Sequence, residues 1–213
     1  MRTKSLMFPC SKIKLEGSCY YPEGKGKFPA VVLCHPHPVY GGSMNNGVIM
    51  ALASALVRKS IIAFMFNFRG VGKSQGSFGG GIEEQADVDS ALNWLTQQRE
   101  ADADKIGLAG YSFGAFVALP QACRDSRVKA LALISPAVVE REATALLKNC
   151  TIPKLIISGE ADEHVSAEQL KLIDEEAAYP KRLELIPGVD HFWRSQEMVL
   201  ADKVVTFFSV VFS

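Results

Sequence analysis

Apolar residues in this chain fall into short unbroken runs, separated by longer stretches in which they recur every three or four positions. Ala30-Val31-Val32-Leu33-Cys34 and Ile61–Phe66 are two such runs. With no polar residue alternating, they predict strands buried on both faces, as in a parallel sheet. Between them, Gly47 to about Lys59 sets Ile49, Leu52, Ala53, Leu56 and Val57 at helical spacing. The alternation continues with a helix over Ile82–Gln98, a strand over Ile106–Ala109, a helix over Phe113–Arg124 and a strand over Val128–Ile134. It closes with a strand over Ile152–Ser158, a helix over Ala167–Ala178, a strand over Lys181–Ile186 and an amphipathic helix from Ser195 to about Val211. Residues 5–21 predict two short strands broken near Pro9, at a partly exposed edge. Gly and Pro mark a turn at 22–27, and residues 35–46 and 67–81 read as loops.

Strands alternating with helices of this length predict an α/β fold. Its mostly parallel central sheet would hold about 7–8 strands, with helices on both faces. No linker or internal repeat divides the sequence, so residues 1–213 read as one domain. In such sheets ligands bind beyond the carboxyl ends of the strands. The chemistry is therefore to be sought in strand-exit loops.

Composition removes several classes of function. Twenty-three Lys and Arg balance 23 Asp and Glu, for a formal net charge of zero, and the basic residues are scattered. No nucleic-acid or membrane-surface partner is expected from that balance. The five cysteines are far apart with no C-x-x-C pair, which argues against a disulfide framework or a structural zinc site. Residues 1–10 lack the apolar core and cleavage site of a signal peptide. No run reaches the roughly 18 apolar residues of a membrane span. A cytoplasmic protein is expected, and nothing in the residues chooses between monomer and homodimer.

The candidate chemistry centres on Gly110-Tyr111-Ser112-Phe113-Gly114, set between an apolar run and a helix-capable run. G-x-S-x-G between strand and helix is the context of a nucleophile elbow, a strained turn in which glycines leave room for close packing. A serine so placed needs a positioned base. His191, in Pro187-Gly188-Val189-Asp190-His191-Phe192 after the last strand, is the candidate. Asp162, in Gly159-Glu160-Ala161-Asp162 after the preceding strand, can orient the imidazole and stabilise its charged form. The chain order Ser112, Asp162, His191 is the order this architecture uses. Glu160, Glu163 and Asp190 are rival acids, Glu163 the better placed, and His164 is a rival base. For developing negative charge, the Phe113 N–H at a helix start is one donor. His35-Pro36-His37-Pro38 makes the His37 N–H a second, since the prolines carry none. Tyr40 or Gly41 could supply that donor instead.

Taken together, these stretches resemble the α/β-hydrolase superfamily, and within it the small lidless bacterial serine hydrolases related to dienelactone hydrolases and esterases. The resemblance rests on Cys34–Pro38 with Gly41–Met44, Phe66–Ser74, Gly110–Gly114, Gly159–Asp162 and Gly188–Phe192. It spans nearly the whole chain and implies a single α/β-hydrolase domain with Ser112 as nucleophile, Asp162 as acid and His191 as base. Dienelactone hydrolases proper use a cysteine where this elbow has Ser112. Residues 136–151 are too few for a cap domain, so an open, shallow site is expected, with Tyr40, Phe113, Phe192 and Trp193 as candidates to line it. The implied reaction is hydrolysis of a small-molecule carboxylic ester with a small or short acyl group through an acyl-enzyme, with no metal or cofactor. A peptidase or thioesterase using the same residues, or a non-catalytic binding protein on this fold, are the alternatives.

Three look-alikes carry less. Asn67–Ser74 nearly fits a phosphate-binding loop but begins with Asn67 rather than Gly. His35-Pro36-His37 could be half of a metal site but lacks a third ligand. Cys34, ending a buried strand, reads as a small hydrophobe.

Overall fold

A computed structural model describes residues 2–137 and 140–213. The strands are β1 (Arg2–Cys10), β2 (Ile13–Tyr21), β3 (Phe28–Cys34), β4 (Ile62–Phe66), β5 (Ala101–Tyr111), β6 (Val128–Ile134), β7 (Lys154–Gly159) and β8 (Lys181–Ile186). The helices are α1 (Gly47–Arg58), α2 (Glu84–Thr96), α3 (Phe113–Arg124), α4 (Glu140–Leu147), α5 (Ala167–Glu176) and α6 (Glu197–Val211). All eight strands form one sheet in the order β1-β2-β4-β3-β5-β6-β7-β8. The first two junctions are antiparallel and the remainder parallel.

The two faces of the sheet are sealed separately. Val31 and Leu33 of β3 pack with Ile49, Leu52 and Leu56 of α1 and Leu200, Val204 and Phe208 of α6. Ala30, Val32 and Cys34 point the other way, into a core that takes in Val88 of α2, Val117 of α3, Leu147 of α4 and Leu170 of α5. This is why the β3 sequence is apolar at every position. Ala30–Cys34 are all fully buried. Each large aliphatic side chain there is worth roughly 1.5–3 kcal/mol on transfer from water.

The strand order also fixes where a ligand can sit. From β3 the chain passes to β4 on one side, and β5 returns to pair on the other. The loop leaving β3 climbs to α1 on one face, whereas β5 feeds α3 on the opposite face. Divergence of this kind opens a crevice at the carboxyl ends of the two strands.

Some sequence expectations are corrected here. The edge strand runs through Pro9, and the break falls at Ser11–Lys12, where Ser11 has φ 53°. An edge strand tolerates proline because one row of its N–H groups faces solvent. β5 begins at Ala101, which pairs with Phe28, rather than at Ile106. β7 begins at Lys154, not Ile152; the Lys154 ammonium is buried and donates to the Ala178 and Pro180 carbonyls. Within 136–151, where too little chain for a cap domain was expected, lies the unanticipated eight-residue α4. Val138 and Val139 of that segment fall outside the described residues. Among the described residues, no helix is long and apolar enough to cross a membrane.

Candidate active site

Ser112 is the hinge between β5 and α3, with φ 55° and ψ −116°. L-residues avoid that region, and the strain is held by close packing. A Cβ on Gly110 would lie 2.3 Å from the Gly114 carbonyl oxygen, and one on Gly114 would lie 2.2 Å from that of Cys34. The two glycines thus let α3 start against the end of β3, bringing Phe113 beside the His35–Gly42 loop. The His37 and Phe113 rings lie 4.8 Å apart.

The β7 and β8 exits meet in the same manner. A Cβ on Gly159 would lie 1.9 Å from the Val189 carbonyl oxygen, which instead accepts from the Ala161 N–H at 3.0 Å. The Tyr111 hydroxyl donates to the His191 carbonyl at 2.9 Å and fixes the height of the His191 loop above Ser112. The result is a continuous set of contacts. His191 Nε2 is 3.0 Å from Ser112 Oγ. His191 Nδ1 lies 3.0 and 2.9 Å from Asp162 Oδ1 and Oδ2.

Asp162 is a fixed acceptor. Its Oδ1 takes the N–H groups of His164 at 2.9 Å and Val165 at 3.0 Å, and its Oδ2 takes the Ser158 hydroxyl at 3.0 Å. Burial by itself pushes the Asp162 carboxyl up, but His191, the His164 N–H and the Ser158 hydroxyl outweigh it and hold the group below the ordinary carboxylate range. Asp162 is therefore ionised at neutral pH. That leaves Nδ1 of His191 as donor and Nε2 free to accept from Ser112.

Ser112, His191 and Phe113 open onto a cavity of about 550 Å³, whose rim includes His37, Tyr40 and Phe192. The rival residues do not enter the set. Asp190 accepts from the Phe192 N–H, Glu160 and Glu163 are exposed, and the His164 ring stands edge-on to His191 at 4.7 Å. Trp193 requires a correction, because it does not line the cavity. It is fully buried in the core beneath α6, at φ 56°, and its indole N–H donates to Ser135 Oγ at 3.0 Å.

The His35–Gly42 loop distinguishes its N–H groups. Those of Tyr40 and Gly42 donate to the His37 carbonyl, and that of Gly41 donates to Pro38. The His37 N–H has no acceptor among the described residues. Its φ is −53°, and its imidazole Nδ1 accepts from Val39. His35, which the sequence suggests only as half of a metal pair, joins this loop to the β4 exit. Its Nδ1 faces the Pro36 carbonyl at 2.6 Å and its Nε2 accepts from the Phe68 N–H at 3.0 Å. The resemblance to a phosphate loop is resolved similarly. Asn67 accepts from Met44 N–H and donates to Glu16, while the Ser74 hydroxyl donates to the Asn67 carbonyl. Those groups are spent on bracing two loops.

Burial holds His35 neutral, lowering its pKa to about 4 although the Pro36 carbonyl pulls the other way. An unfolded chain protonates this histidine below about 6.5, so between those values the unfolded state binds more protons and stability rises with pH. His35 should therefore remove roughly 3 kcal/mol of stability between pH 6.5 and 4. Urea unfolding at a series of pH values checks this, and His35→Asn should flatten the dependence in that window.

Among the described residues, no group of three or more His, Cys, Asp or Glu is arranged to hold a metal ion. Cys34 is fully buried, and burial pushes its thiol up, away from nucleophilic use.

The model of the X-Pro dipeptidyl-peptidase (S15) family matches residues 12–149. The chain belongs to this family, within the α/β-hydrolase superfamily. An uncharacterized protein of Rickettsia prowazekii is 36% identical over 78% of this chain and 72% of its own. Among solved structures, an α/β serine hydrolase homologue from Coxiella burnetii superposes with a TM-score of 0.87 at 33% identity, covering 97% of both chains. A lidless α/β serine hydrolase from Xanthomonas campestris gives 0.82 at 29% identity, covering 97% of this chain and 94% of the other. Among the described residues, the eight-stranded sheet and six α-helices of this α/β hydrolase match that lidless architecture.

Proposed function

We propose that the chain hydrolyses carboxylic esters of small or short acyl groups, with Ser112 as nucleophile, His191 as general base and acid, and Asp162 as its orienting carboxylate. The observation that carries this reading is the unbroken contact from Ser112 Oγ through both His191 nitrogens to Asp162, opening onto the cavity. His191 accepts the serine proton as Ser112 attacks the ester carbonyl, then returns it to the leaving alcohol. A water activated by the same imidazole releases the acid. The His37 and Phe113 N–H groups stabilise the oxyanion, as preorganised donors beside a buried nucleophile do.

His37 permits a clean test of the donor. A φ of −53° suits proline, so His37→Pro deletes the N–H while the backbone can keep its course. His37→Ala removes the same ring but keeps the N–H. The proline variant should lose about 10²–10³ in kcat and the alanine variant far less. Equal losses would move the donor elsewhere.

The family match favours a second reading, a peptidase acting on the amino-terminal dipeptide of its substrate. Such a substrate presents an ammonium, which calls for a carboxylate in the pocket. Among the described residues, no Asp or Glu lines the cavity, which supports a neutral acyl ester instead. Assaying p-nitrophenyl esters of graded acyl length beside X-Pro-p-nitroanilides and thioesters decides between them. The short esters should be turned over fastest, and a preference for X-Pro amides would overturn the ester reading.

A further inference from the structure

A second run of hydrogen bonds approaches Asp162 from behind, and nothing in the hydrolytic scheme above uses it. Ser158 Oγ lies 3.0 Å from Asp162 Oδ2, Ser135 Oγ lies 3.1 Å from Ser158 Oγ, and Trp193 Nε1 lies 3.0 Å from Ser135 Oγ. All three side chains are fully buried. Ser135 immediately follows β6 and Ser158 lies in β7, the sheet neighbour of β6, whereas Trp193 follows His191 by two residues.

The direction of every proton in this run is fixed by chemistry. An ionised carboxylate only accepts and an indole N–H only donates. Ser158 therefore gives its single proton to Asp162 and has none for Ser135. Ser135 must then give its own to Ser158, which leaves it only as acceptor toward Trp193. Three donors point the same way, and aligned hydrogen bonds in a low-dielectric interior polarise and strengthen one another.

We propose that Trp193, Ser135 and Ser158 form a one-way donor chain that holds the Asp162 carboxylate in the orientation and charge state His191 requires. They are positioning residues, since none of them reaches the cavity. Its first two members sit in unfavourable backbone, with φ 56° at Trp193 and 40° at Ser135. Neighbouring structure pays for that geometry where a specific side-chain direction is needed. The chain also ties the loop carrying His191 to the loop carrying Asp162 through the sheet, so that both partners share one anchor. Around Asp162 the titratable groups are His191 and Asp190 from the β8 exit, His164, Glu160 and Glu163 from its own loop, and Tyr111 from β5, on which Glu197 of α6 also acts. Altering the donor chain changes none of these charges.

The inference rests on the hydrolase reading for its kinetic arm, and a spectroscopic arm stands apart from it. Trp193→Phe deletes the N–H while keeping an aromatic ring, and Ser158→Ala deletes the donor that touches Asp162. In both variants the downfield proton resonance of the His191 Nδ1–H should move, and the acidic limb of kcat/KM should shift to higher pH, because a carboxylate with fewer donors holds the shared proton more tightly. Ser158→Ala should lower kcat about tenfold with little change in KM, and Trp193→Phe should lower it about threefold. The double variant should match Ser158→Ala alone, since a broken chain transmits nothing further. Thermal melts establish that each variant is folded, and Trp193→Phe suffices on its own if Ser158→Ala is not. A resonance and pH limb unmoved by Trp193→Phe, or effects that simply add in the double variant, would overturn the chain. Absence of ester turnover in the wild-type protein strikes the hydrolase reading instead, and the resonance still decides the chain.

Discussion

Replacing Asp162 by asparagine should lower kcat on a short p-nitrophenyl ester by about 10⁴, with the fold intact. The size of the effect follows from how the carboxylate is held. Oδ1 accepts two backbone N–H groups, from His164 and Val165, and neither can turn away. An asparagine must place its carbonyl oxygen there, which puts its NH₂ at the Oδ2 position, facing His191 Nδ1 and the Ser158 hydroxyl. The imidazole then accepts at Nδ1 and carries its proton on Nε2, where it can no longer take one from Ser112. Substrate affinity should change little, because Asp162 lies behind the imidazole. A variant with kcat near wild type would mean that another acid orients His191, and Glu163 would be the next residue to replace.

Ser112→Ala should reduce turnover of p-nitrophenyl acetate by at least about 10³. This variant removes the atom to which the acyl group is transferred, yet His191, Asp162 and the backbone donors remain. The residual rate is then what those groups achieve with water alone. Alanine at position 112 keeps the strained φ of 55° and loses no helix cap, since the Ser112 hydroxyl caps nothing in α3. Stability should therefore be nearly unchanged, and a thermal melt beside the assay separates lost chemistry from lost fold.

The strands and their exits were legible because the core dictates them. A strand sealed on both faces, such as Ala30–Cys34, must be apolar throughout, and such runs stand out against helical spacing. The meeting of Ser112, Asp162 and His191 could be anticipated because each sits where a strand must end. The His37 N–H could be singled out because prolines flank it, and the structure adds that its neighbours Tyr40, Gly41 and Gly42 spend theirs within the loop.

What could not be read depends on side-chain direction and on strand neighbours. Trp193 stands two residues from His191, and a stretch through φ 56° turns it into the core instead of the cavity. Ser135 and Ser158 resemble ordinary strand-end residues. Their contact exists because β6 and β7 are adjacent, which the order of strands in the chain does not state. His35 carries no signal that separates it from a ligand or base. Its buried bond to the Phe68 N–H depends on two loops meeting. The α4 helix is only eight residues long, so Ala143, Leu146 and Leu147 give a single helical repeat, and it draws its stability from packing Ala143 and Leu147 against the core.

An activated nucleophile at Ser112 can be trapped covalently. A fluorophosphonate probe reacts with a serine only when its hydroxyl is deprotonated by a neighbouring base, and mass spectrometry of the digested protein locates the adduct. One adduct is expected, on the peptide containing Ser112, matched by loss of esterase activity and absent from Ser112→Ala and His191→Ala. Folded wild-type protein that stays unlabelled, or that carries its adduct on another residue, would contradict it.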